Sequence, residues 1–97
     1  MGLQYVGTGR LLPGTSQDVA IGAASTACTN AFGSGTYKIR VKVTSDCRIR
    51  IEKSPTALST DTYMSAGDSE YFTVNPGEKI ACIQVSAAGT LNLTEIA

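Results

Sequence analysis

"YKIRVKVTSDCRIRIEK", residues 37–53, is the stretch whose reading decides the fold. Every second residue on either side of a short polar break is largely apolar: Tyr37, Ile39, Val41 and Val43, then Cys47, Ile49 and Ile51. Side chains alternate between the two faces of a strand, so each half reads as a strand with one buried face. Thr44, Ser45 and Asp46 between them are turn-forming residues. The expectation is a hairpin over residues 37–53. Pairing without a bulge sets Val43 opposite Cys47, Val41 opposite Ile49 and Ile39 opposite Ile51. It also gathers Lys38, Arg40, Lys42, Arg48 and Arg50 on one face. There Lys42 opposes Arg48 and Arg40 opposes Arg50, with only Lys38 meeting an acid, Glu52. Like charges directly opposite on a sheet are unfavourable, so a face of this kind asks for a purpose.

Strand signals continue downstream. Pro55 ends the second strand, because proline cannot donate to a ladder. After the polar "PTALSTD", Tyr63 and Met64 precede an "AGD" turn, and Phe72 and Val74 follow it. "NPG", residues 75–77, fits a type II turn in which Pro76 fixes φ and Gly77 takes the positive φ. "KIACIQV" is the most apolar run and reads as a central strand. After "AAGT", Leu91 and Leu93 alternate with Asn92 and Thr94. Short strands separated by turns every 8–12 residues predict an all-β fold, a small antiparallel β-sandwich with jelly-roll-like connections.

Upstream the pattern weakens. Seven of the ten glycines lie in residues 1–35, and "GAASTACTNAFGSG" offers little to bury. Only "QDVAIGA" alternates, with Val19 and Ile21 on one side. An extended Gly/Ala/Ser-rich N-terminal arm carrying one short strand is expected over residues 1–35. The sandwich body is expected over residues 36–97, a single domain overall. The start of the chain has neither the basic n-region nor the apolar h-region of a secretory signal, and no run approaches membrane-spanning length.

Few kinds of chemistry fit this composition. There is no histidine, so the usual general base at neutral pH is missing. Cys28, Cys47 and Cys82 are odd in number and widely spaced, which argues against a zinc site and against a disulfide framework. "GTGRLLPG" lacks the Lys-Ser/Thr and the following helix of a phosphate loop. Asp61, Asp68, Glu70 and Glu78 flank turns, where carboxylates are usually solvated. The expectation is a non-enzyme with no cofactor and no metal.

Three readings of the basic face remain: plain solvation, contact with nucleic acid, or contact with protein. Eight basic and eight acidic residues cancel, whereas a nucleic-acid binder usually carries a basic excess. The face also lacks an interleaved aromatic residue to stack a base. A neutral chain with a basic region and a separate acid-rich second half suits head-to-tail or ring-like contacts between copies, or an acidic host surface.

Residues 54–97 carry a further signal: "SPTA", then "DTYM.AG", then "EYFTV.PGEKIA.I", then "G.L.LTE" at the end. This order of parts resembles the closing segment of small virion structural proteins of tailed bacteriophages. The resemblance implies a β-rich particle component of the capsid decoration or cement type. Such a protein is made in the host bacterial cytoplasm and sits on the capsid surface. It binds the major capsid protein as a symmetric homo-oligomer, often a trimer, with no membrane partner. A tail, neck or fibre-base component is the alternative it leaves open.

Overall fold

The computed structural model describes residues 9–97. It contains eight strands: β1 (Gln17–Ile21), β2 (Thr26–Ala27), β3 (Lys38–Val43), β4 (Cys47–Glu52), β5 (Thr62–Met64), β6 (Ser69–Thr73), β7 (Lys79–Gln84) and β8 (Gly89–Ile96). No helix occurs among the described residues. The strands form two four-stranded sheets, ordered β1-β8-β3-β6 and β2-β7-β4-β5, with every pairing antiparallel. The chain changes sheet at every connection except β4 to β5, which is the winding of an eight-stranded jelly roll.

The alternation read from sequence locates the core. Ile39, Val41 and Val43 of β3, Cys47 and Ile49 of β4, Ile80 and Cys82 of β7, and Leu91 and Leu93 of β8 are all buried between the sheets. The turns also behave as their residues dictate. Gly67 and Gly77 take φ of +87° and +85°, a region open to glycine at little cost. In the Asn75–Glu78 turn the Glu78 amide donates to the Asn75 carbonyl at 3.2 Å.

The expected hairpin over residues 37–53 does not form. β3 pairs with β6 and β8, while β4 pairs with β5 and β7 in the opposite sheet. Val43 stands opposite Leu91, and Cys47 stands opposite Gln84 and Met64. Residues 44–46 form an arch tied to both sheets. Thr44 accepts from the Thr90 amide through its hydroxyl at 2.8 Å, and its own amide donates to the Thr90 carbonyl at 3.0 Å. The Asp46 carbonyl accepts from Val85 at 3.3 Å. The physical reason is burial. Each strand has one apolar face, and in two facing sheets those faces cover one another, whereas one hairpin would leave both on the same side. The arch also separates Arg40 from Arg50 and Lys42 from Arg48.

The expected arm is corrected as well. β1 closes the edge of one sheet beside β8, and β2 closes the edge of the other beside β7. Leu11 bridges Ile96, and Arg10 and Ala97 exchange two backbone hydrogen bonds at 2.8 and 3.1 Å. Cys28 and Phe32, in the stretch that offered little to bury, are 3 % exposed. From residue 9 onward this segment is part of the sandwich. Residues 1–8 lie outside the described residues.

Candidate interaction surface

The five cations of residues 38–50 lie on opposite sides of the molecule. Lys38, Arg40 and Lys42 project from β3 on the outer face of the β1-β8-β3-β6 sheet, in antiphase to the buried Ile39, Val41 and Val43. Arg48 and Arg50 project from β4 on the outer face of the other sheet. The candidate contact face is therefore two faces, and they differ in what holds their charges.

On the β4 side both arginines are occupied. Arg50 grips Asp61 with two hydrogen bonds, Nε to Oδ2 at 3.0 Å and Nη2 to Oδ1 at 3.1 Å, and reaches Glu52 with Nη1 at 3.3 Å. The arginine side chain is 35 % exposed and that of Asp61 only 15 %. The Arg50 guanidinium and then the Leu58 amide hold the Asp61 carboxyl below its ordinary range. Arg48 donates to the Asp61 carbonyl at 3.3 Å and lies over the Tyr63 ring, 5.0 Å from its centre. The Tyr63 hydroxyl and then the Ala66 amide, which donates to Asp46 Oδ1 at 2.7 Å, hold the Asp46 carboxyl below its ordinary range.

These bonds tie down residues 53–61, the connection between β4 and β5. Its Pro55 and Ala57 are buried, and the Ala57 amide reaches Ser25 Oγ, just before β2, at 2.8 Å. A groove of about 390 Å³ opens at the end of β4, lined by Ile49, Ile51 and Phe72 with Arg50, Glu52, Asp61 and Thr62. Its charged groups already satisfy one another.

The acids of the second half are likewise spent locally. Asp61, Asp68 and Glu78 each stand fourth in a tight turn and accept from the amide three residues back: Leu58 at 2.8 Å, Ser65 at 2.9 Å and Asn75 at 2.8 Å. Each turn is closed in the reverse sense by the backbone bond from the acid's own amide. These three acids are thus turn closures. Glu70 sits on the edge strand β6, opposite Val41.

The β3 side is different. Directly opposite residues of neighbouring antiparallel strands share a face. Arg40 therefore lies between Tyr71 of β6 and Thr94 of β8, and Lys42 between Ser69 and Asn92. Tyr71 is 39 % exposed. Farther across, Asn92 Nδ2 donates to Asp18 Oδ1 at 2.9 Å and to Ser16 Oγ at 2.8 Å. Lys42 Nζ donates to the Gly67 carbonyl at 3.3 Å, an exposed and unneutralised contact. Arg40 makes no hydrogen bond or ion pair among the described residues. The three cations rise from alternate residues of one strand, roughly 7 Å apart at the backbone.

Sequence reasoning missed Tyr71 as a neighbour of this row. β6 brings an exposed aromatic ring beside Arg40 from 31 positions away, although β3 itself carries none on that face. It also missed Glu95. That residue is in phase with Leu91 and Leu93, hence inward-facing, and is 7 % exposed. Its Oε1 accepts from the Gly33 amide at 3.1 Å and from the Thr36 hydroxyl, fixing the chain ahead of β3.

The three cysteines are free and buried. Burial pushes the Cys47 thiol up to about 11 and the Cys82 thiol to about 12, and raises Cys28 as well. A buried thiol held protonated is a small apolar group, not a nucleophile.

No protein-family model and no curated protein matches the chain. Among solved structures it is similar to a de novo designed double-stranded β-helix determined by solution NMR. The TM-score is 0.56 and the identity 13 %, over 82 % of this chain and 96 % of that one. At this identity the likeness is one of fold, and fold does not carry function with it.

Proposed function

We propose that this protein is a structural component of a phage particle, a capsid decoration or cement protein that binds the major capsid protein shell as a symmetric homo-oligomer, a trimer. One observation carries the reading: the sandwich presents a broad sheet face from which Arg40 and Lys42 project with no ion pair among the described residues, while Arg50, Asp61, Asp68 and Glu78 are committed to the body's own turns and loop. A face of this shape suits many modest contacts repeated over symmetric copies. Jelly rolls recur in viral capsid proteins, though also in lectins and cupins.

The segments that resemble virion proteins are the ones that shape this body. "SPTA" supplies the two buried residues of the β4–β5 connection, Pro55 and Ala57. "DTYM.AG" is β5 with the turn that leads to the next sheet, and "EYFTV.PGEKIA.I" is β6, the Asn75–Glu78 turn and β7. "G.L.LTE" is β8 with its buried Leu91, Leu93 and Glu95. The test is stabilisation of heads. The protein should co-sediment with intact heads, and heads stripped of it should release DNA at lower temperature. Equal stability with and without it refutes the reading. Labelling at the neck or tail transfers the role to that part of the virion.

A further inference from the structure

We propose that the outer face of the β1-β8-β3-β6 sheet is the docking surface for an acidic protein partner, with Arg40 and Lys42 as its cationic centre and Tyr71 beside them. This deepens the proposed particle role and rests on it for the partner's place. The charge argument for the face stands separately.

Arg40 sits on an interior strand, flanked by Tyr71 and Thr94, with no partner of its own among the described residues. By contrast, Arg50 and several of the acids are held within the chain. Arg50 holds two carboxylates, and Asp61, Asp68 and Glu78 close turns. Aligned like charges on one strand repel, so they detract from the fold of the free protein. A partner that supplies carboxylates opposite β3 offsets that repulsion. Arginine and tyrosine are also the side chains that most often dominate protein interfaces, through planar bidentate bonding and large rigid contact area.

The face favours protein over nucleic acid because its charge changes sign across the sheet. It runs from Asp18 on β1, through Asn92 and Thr94 on β8, to the cations of β3 and then Tyr71 on β6. A matched protein surface can set acids over β3 and a donor over Asp18. A phosphate backbone is negative throughout and meets Asp18 unfavourably. The chain's zero net charge also gives it no long-range attraction for a polyanion.

The probe is a fluorescein-labelled peptide with a run of glutamates at one end and lysines at the other, matching the change of sign across the face, titrated by anisotropy at low salt against an oligothymidylate of equal length. Wild-type protein should bind the peptide, and the Arg40→Glu/Lys42→Glu double variant should lose at least about tenfold in affinity, the scale of one strong interface contact. Lys53→Glu, an exposed cation outside this face, should bind as wild type does. If the double charge reversal unfolds the chain, Arg40→Gln/Lys42→Gln takes its place and should lose affinity in the same direction. No wild-type binding, undiminished binding by the folded double variant, or tighter binding of the oligothymidylate each overturns the proposal. Co-sedimentation with heads separates this inference from the role it rests on. A wild-type protein that binds heads while the double variant binds equally well sinks the face and spares the role. A wild-type protein that ignores heads sinks the role, and the peptide titration still decides the face.

Discussion

Glu95 is the residue whose replacement tests the packing most sharply. The residue is 7 % exposed, and one carboxylate oxygen receives both the Gly33 amide and the Thr36 hydroxyl. Glu95→Ala strands the buried Thr36 hydroxyl and removes the acceptor of the part-buried Gly33 amide, at the point where the chain turns into β3. A stranded buried group costs about 1–3 kcal/mol, and the Gly33 amide, on an exposed residue, can turn to water, so the loss is about 1–3 kcal/mol. For a domain of this length each kcal/mol moves the melting midpoint by roughly 4–8 °C. The midpoint of Glu95→Ala should therefore fall by about 5 °C or more. Glu95→Gln keeps a carbonyl oxygen for both donors and should stay within about 1 kcal/mol of wild type. Thermal melts followed by circular dichroism, with urea titrations to show an unchanged m-value, give the comparison. An alanine variant as stable as wild type refutes the reasoning. So does a glutamine variant as damaged as the alanine one, because then acceptance of these two hydrogen bonds is not what Glu95 contributes.

Three further outcomes follow from the charged groups and thiols. Arg50→Ala frees Asp61 and loosens residues 53–61, so limited proteolysis there should speed up; a hairpin that set Arg50 against Arg40 would instead be relieved by the change. Asp46 and Asp61 have folded pKa values below the ordinary 3.8, so their stabilisation is present above that value and fades as pH falls through the lower folded values. Melting temperature should drop between pH 5 and pH 2, and Asp61→Asn should flatten that drop; equal slopes in wild type and variant would contradict the Arg50–Asp61 account. The native protein should show no thiol reactive toward a disulfide reagent at neutral pH, and all three should react after denaturation, since Cys28, Cys47 and Cys82 are buried with raised pKa values.

Alternation made the inward faces legible. Ile39, Val41 and Val43, Cys47 and Ile49, and Leu91 and Leu93 are buried as their spacing requires. Partners were not legible, because a period of two states which side is buried and not what lies beside it. The arch at residues 44–46 is as short as a hairpin turn and has turn-forming residues. What distinguishes it is hydrogen bonding to Thr90 and Val85, some 40 positions away. The same limit hid the surface. Arg40 and Arg50 share a pattern, yet one meets Tyr71 and the other Asp61. The N-terminal segment misled for a different reason. Its small side chains suit sheet edges, where β1 and β2 need only backbone pairing on one side, and Cys28 with Phe32 suffice to anchor it.

The central claim is that the cationic outer face of the β1-β8-β3-β6 sheet meets an acidic surface of a phage particle. A reconstruction of the intact particle at side-chain resolution tests it directly. The account predicts this chain on the head, with Arg40 and Lys42 within hydrogen-bonding distance of shell carboxylates and Tyr71 covered. The same chain seated with that face open to solvent would contradict it.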